Sequence, residues 1–254
     1  MAFYYLAGSA ANLVTTATLS STSADANFPL TNLQSDFLWN MFRFNSAAAD
    51  MTLTADLGSS TAVDFSSVHF HNIDSGITSL VLQSDDNSGF TSATTRATFT
   101  LEDPAFYSAF SSASERYWRL LFNGTNTGGA VYVGKWSLGA RSSLTRTQKP
   151  KWTVSQKMEQ IVGPSNIRVN RSLFAARTLK IPFLHYTLAQ KEEIQSMLES
   201  AEWGQEPIVV APDSSDALVV YGRVDESWTQ KRQFASIYDH TVTIVEDRFP
   251  VVVT

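Results

Sequence analysis

The 254-residue chain contains no cysteine, which excludes disulfide frameworks, thiolate zinc sites and cysteine nucleophiles together. Charge is also scarce. Asp, Glu, Lys and Arg make up 17% of the chain, against about 25% in ordinary globular domains, and lysine occurs only seven times. No apolar run reaches the roughly 18 residues of a spanning helix. The opening Met1–Leu6 has no basic segment, so neither a membrane span nor a standard secretory signal is expected. With 19 basic against 24 acidic side chains and no basic block, duplex nucleic acid is not an expected partner.

What is present is 31 serines and 25 threonines in a chain that is 43% apolar. Short alternating runs of Thr, Val, Phe and Tyr suit pleated, half-buried surfaces, so the expected fold class is mainly β. A chain of this mass buries about 70–75% of its extended surface and needs no covalent staples. Residues 1–140 carry 5 basic and 11 acidic side chains, whereas 141–254 carry 14 and 13. The polar stretch 141–151, closing on Pro150 and Lys151, marks the step. The expected organisation is a sandwich or jelly roll at 1–140, a linker at 141–151, and a β-sandwich or barrel-like domain with one helix at 152–254.

In the first part, Met51, Leu53, Ala55 and Leu57 alternate with polar neighbours, and Val68 and Phe70 alternate with His69 and His71. The segment Tyr117–Phe122 is apolar on both faces and reads as a central strand. In the second part, Thr187 followed by Gln190 forms a capping box that starts a helix over 187–203. Leu188, Ile194, Met197, Leu198 and Ala201 form its expected buried stripe, and Gly204 supplies the left-handed stop.

Several patterns imitate chemistry. Gly129–Lys135 matches the opening of a phosphate loop, but Trp136 stands where the magnesium-binding hydroxyl belongs, so a strand is expected. His69 and His71 share a strand face without a third metal ligand at diagnostic spacing, and are expected on an alternating polar face of the sandwich. Asp85, Asn87 and Gly89 begin like a calcium loop, yet Ala97 occupies the region of the closing acid, so a hairpin turn is expected. Asn123 and Asn170 fit glycosylation acceptors, which carry weight only in an exported chain. Trp39, Phe42 and Phe44 are either core or a sugar-stacking platform, with core the expectation for alternating large apolar residues. No nucleophile elbow or zinc-helix pair occurs. No catalytic residue, metal ligand or cofactor is therefore nominated, and the chain is expected not to be an enzyme.

The order Phe28-Pro29, Asn32-Leu33, Trp39, Asp56-Leu57-Gly58, His69–Gly76, Leu82–Asp85, Tyr117-Trp118-Arg119 and Gly134 resembles the discoidin-like, galactose-binding-type jelly roll of virion tail and baseplate proteins. Arg177–Phe183, the Thr187–Gly204 helix, Pro207–Val210, Tyr221–Asp225 and Thr241–Glu246 resemble the β-sandwich-plus-helix domain of distal tail and tube-like proteins of long-tailed phages. These resemblances imply a structural virion protein of a phage tail tip or baseplate, assembled in the host cytoplasm. Its partners would be copies of itself in a ring and other tail proteins of the tube, hub or fibres. One rival reading is a carbohydrate-binding module that attaches to a surface glycan. The other is a hydrolase whose carboxylates meet only in space.

Overall fold

A computed structural model describes residues 2–46, 50–101, 105–145, 151–162, 168–212, 219–225, 230–234 and 237–246. Its first strands are β1 (Ala2–Ala7), β2 (Thr18–Ser21), β3 (Phe42–Arg43), β4 (Met51–His71) and β5 (Ile77–Asp85). β6 (Thr94–Thr98), β7 (Ala105–Gly124), β8 (Tyr132–Gly139) and β9 (Ser142–Thr145) follow. Then come β10 (Lys151–Val162), β11 (Arg168–Tyr186) and helix α1 (Leu188–Ser200). β12 (Ile208–Pro212), β13 (Val220–Val224), β14 (Gln230–Phe234) and β15 (Ile237–Glu246) close the order. All described pairings are antiparallel, so the chain is mainly β with one α-helix among the described residues.

One sheet runs β3-β8-β4-β7-β5-β6, with β2 also on β4. Its two long strands, β4 and β7, serve both layers of a sandwich. Met51–Asp56 of β4 lies between β2 and the end of β7, while Phe65–His71 lies between β8 and the start of β7. Register breaks between Asp56 and Thr61 and between Val63 and Phe65 let the ribbon turn from one layer to the other. The alternation at Met51, Leu53 and Ala55 points these side chains into the core, with Leu120, Phe122, Trp118 and Trp136. Both tryptophans find hydrogen-bond acceptors there: Trp118 Nε1 donates to Glu115 O at 3.1 Å and Trp136 Nε1 to Ser66 Oγ at 3.1 Å.

The other sheet runs β10-β11-β15-β13-β12-β1-β9, with β14 on β15. Helix α1 covers one face of it. The capping box is made: Gln190 N donates to Thr187 Oγ1 at 3.4 Å, and Thr187 N donates to Gln190 Oε1 at 3.0 Å. Ile194, Met197, Leu198 and Ala201 are buried against Phe3, Ile181, Phe183 and Val210. Leu188, expected in this stripe, is 52% exposed. It precedes Ile194 by six residues, which places it about 120° round the helix. The helix stops at Ser200, and Glu202, Trp203 and Gly204 then all take positive φ.

Two strands bury both faces. In β1, Phe3 and Ala7 face the helix side while Leu6 and Tyr4 face the other sheet. β12 does the same, with Ile208 and Val210 on one side and Val209 and Ala211 on the other. The resulting seam joins the two sheets through Leu6, Leu38, Phe65, Val209 and Tyr221. Chain order and sheet membership thus differ around the expected boundary. β1 belongs to the second sheet, between β12 and β9. Within 141–151, Ser142–Thr145 is a paired strand, Lys151 opens β10, and 146–150 lie outside the described residues.

Truncating Leu198 to Ala removes a fully packed side chain and should cost about 2–5 kcal/mol. The same change at exposed Leu188 should stay within about 0.5 kcal/mol. Urea unfolding of the two variants checks the assignment, and equal losses would contradict it.

Candidate functional site

The segment Ser35–Asn40 joins a short 3₁₀ turn (Leu30–Gln34) to β3. Its middle residue, Leu38, is buried in the seam, and this inward plug turns its two neighbours outward. Phe37 is 44% exposed and Trp39 46%. Their rings stack on each other with centroids 4.5 Å apart and planes 25° apart. Two large aromatic rings are thus held against each other at the surface, each giving up nearly half its area to water.

The loop is fixed from below. Lys135, on β8, donates from Nζ to Ser35 O at 2.7 Å and lies 3.8 Å from Asp36 Oδ1. Tyr221, on β13 of the other sheet, donates from its hydroxyl to Asp36 O at 2.9 Å. Within the loop, Asn40 N donates to Phe37 O at 3.1 Å and Asn40 Nδ2 to Ser35 Oγ at 2.8 Å. Gly134 allows this approach: a Cβ there would lie 2.8 Å from Leu38 O. Arg223 of β13 completes the surroundings, with its guanidinium carbon 5.7 Å from the Phe37 centroid and Nη1 donating to Gln205 O at 2.8 Å. Arg223 therefore borders the Phe37 ring, and Asp36 and Asn40 flank the pair along the chain.

Lys135 is only 1% exposed. Burial holds its ammonium down to about pKa 8, with Asp36 and then Glu206 acting in the opposite direction. Beside it, His69 and His71 are both buried rather than on an exposed polar face. For His69 the cause is the second sheet, which covers this face of the sandwich; His71 turns into the sandwich's own core. The His69 ring lies 5.6 Å from the Tyr221 ring, with Nε2 2.9 Å from Ser67 Oγ. His71 packs its ring 4.9 Å from Phe106 and accepts from Ile73 N at Nδ1. Between them Phe70 takes a left-handed backbone, φ 55°, which breaks the simple alternation. Among the described residues, no group of three or more His, Asp or Glu is placed to hold a metal ion.

The other sequence candidates fall into structural roles. Phe42 and Phe44 are in the core, meeting edge to face at 4.8 Å, so of that trio only Trp39 reaches the surface. Lys135 lies within β8, and the amides of Tyr132–Gly139 serve a ladder. Asp85 caps its own turn, accepting from Asn87 N at 3.0 Å and Ser92 N at 2.8 Å, and Asn87 Oδ1 accepts from Gly89 N at 2.8 Å. Asn123 Nδ2 donates to Ser79 Oγ on the neighbouring strand at 2.7 Å. The side chain of Asn170 lies outside the described residues. Phe37, Tyr221 and Arg223 were not apparent as site residues from sequence. The only local signal for Phe37 is the polar bracket of Ser35-Asp36 and Asn40, which marks a loop rather than a strand.

No family model matches the chain, and no curated protein matches it. Solved structures do resemble about half of it. Chitosan-binding module 1 of a chitosanase/glucanase from Paenibacillus sp. IK-5 is 19% identical, with a TM-score of 0.45 over 50% of this chain and 97% of that one. Module 2 of the same enzyme, in complex with chitotriose, is 15% identical with a TM-score of 0.45, over 51% of this chain and 100% of that one. The lectin domain of lectinolysin, complexed with Lewis B antigen, is 11% identical with a TM-score of 0.42, over 52% of this chain and 97% of that one.

The Lys135 shift has a sign that can be measured. Below pH 8 both folded and unfolded chains carry the proton, and the folded state bears the cost of a buried cation. Between pH 8 and the model-peptide value of 10.5 only the unfolded chain keeps it, so stability from this group rises with pH. The slope is on the order of 1.4 kcal/mol per pH unit at most. Chemical denaturation across this window should show a rise in wild type relative to Lys135→Met, and parallel curves would contradict the assignment.

Proposed function

We propose that this protein is a non-catalytic carbohydrate-binding protein whose binding surface is built on Phe37 and Trp39. The observation that carries this reading is the stacked, half-exposed aromatic pair on a loop pinned by Lys135 and Tyr221. A pyranose ring has an apolar C–H face and a rim of hydroxyls. Flat, immobile aromatic rings bury the first with little loss of side-chain freedom. Asp36, Asn40 and Arg223 at the border supply acceptors and donors for the second.

Nothing in the structural neighbours bears on the expected phage-tail origin. The half-exposed Phe37–Trp39 pair supports the glycan reading. It also explains why three residues in a row alternate out, in, out in a loop: Leu38 anchors, and its neighbours present.

Soluble chito-oligosaccharides and fucosylated or galactosylated glycans are the probes, titrated calorimetrically into the full chain. At least one class should bind, and Trp39→Ala should weaken it about tenfold or more. Because Trp39 is at the surface, the melting temperature should hardly move. Failure of every probe to bind, or undiminished binding by the variant, would overturn the proposal.

A further inference from the structure

The second sheet carries an arm. β10 pairs with β11 along its whole length, from Lys151↔Lys180 to Val162↔Arg168. β15, the next strand, pairs with β11 only from Thr178 to Tyr186. Residues 154–162 and 168–177 are therefore a two-stranded ribbon running beyond the third strand among the described residues. At about 3.4 Å per residue the nine residues of β10 in it span about 30 Å.

β10 leaves one edge open in this sheet among the described residues; it has no proline or bulge, and its charges in 154–162 are one of each sign, Lys157 and Glu159. The register shift in the ribbon falls between Lys157↔Phe174 and Met158↔Ser172, so the extra residue, 173, belongs to β11 and β10 stays regular. The sequence of the open strand is Val154-Ser-Gln-Lys-Met-Glu-Gln-Ile-Val162. Reversed about Met158, it is self-complementary at three of its four position pairs, Ser155 facing Ile161 being the exception. Val154 stands opposite Val162, Gln156 opposite Gln160, and Lys157 opposite Glu159.

We infer that β10 is a homodimerisation edge: two copies of the chain pair antiparallel through residues 154–162, with the two-fold axis at Met158. In this register Lys157 of each copy takes the position across from Glu159 of the other, so both charges meet opposites twice. Slipping by one residue would lose these matches. The other terminal strand of the sheet, β9, has four residues and offers a ladder less than half as long. A self-paired edge is also closed by its own symmetry, giving a dimer rather than an open chain or a ring.

The test uses the full-length chain in light scattering over a concentration series. Wild type should reach twice the 28.0 kDa chain mass. Lys157→Glu puts Glu opposite Glu, and Glu159→Lys puts Lys opposite Lys, so each alone should weaken dimerisation by about tenfold or more. Mixing the two variants restores both opposite-charge pairs and should restore the dimer. A monomeric wild type, a larger closed assembly, or a mixture no tighter than its components would each overturn the inference. As a readout independent of charge, Met158→Cys in this cysteine-free chain should oxidise to a covalent dimer, since facing residues of an antiparallel pair lie within disulfide reach. Ser143→Cys on β9 should not. The reverse outcome places the contact on the wrong edge.

Discussion

Lys135 brings an ammonium into the seam between the two sheets, and a cation in that place must be paired or the fold bears its desolvation. The pairing it finds is the carbonyl of Ser35 and, at longer range, the carboxylate of Asp36. Tyr221 ties down the next carbonyl from the opposite sheet. The loop 35–40 is therefore not free to choose its path, and the directions of Phe37 and Trp39 follow from contacts beneath them. The buried charge is costly for stability and useful for geometry. Removing one partner would leave the other polar groups of the seam unsatisfied.

The same seam explains why the two sheets are not independent. β1 leaves the first segment of the chain to sit between β12 and β9, and β12 presents Val209 and Ala211 back toward the sandwich. Both strands bury alternate residues on both sides, which makes them the middle of a layered arrangement of helix, sheet and sandwich. His69 becomes an interior residue for that reason. A face that would meet water in an isolated sandwich meets Tyr221 instead, whereas His71 packs on Phe106 of the sandwich's own core.

Local signals made much of this legible. The alternation at Met51–Ala55, the Asp85–Gly89 turn and the Thr187–Gln190 capping box are properties of neighbouring residues, and they appear where the sequence puts them. Tyr117–Phe122 is central, between β4 and β5, but buries one face only, at Trp118, Leu120 and Phe122. What was hidden depends on partners far away in the chain. Leu6 and Val209 meet across about two hundred positions, and no periodicity within either strand announces it. The candidate site shows the same limit. Trp39, Phe42 and Phe44 look alike in sequence. Only the tertiary position of Leu38 decides that Trp39 faces out with Phe37 while Phe42 and Phe44 enter the core. Arg223 and Tyr221 reach the loop from some 185 residues later, a distance printed in no motif.

The account rests on Trp39 as the surface where a sugar ring would lie, and the six tryptophans of the chain make this directly observable. Nitrogen-15 spectra of the indole N–H groups, recorded while a binding oligosaccharide is titrated in, separate exposed Trp39 from fully buried Trp118 and Trp136. The account predicts that the Trp39 indole resonance moves with saturation while those of Trp118 and Trp136 stay in place. Saturable shifts at other indoles with Trp39 unmoved would contradict it.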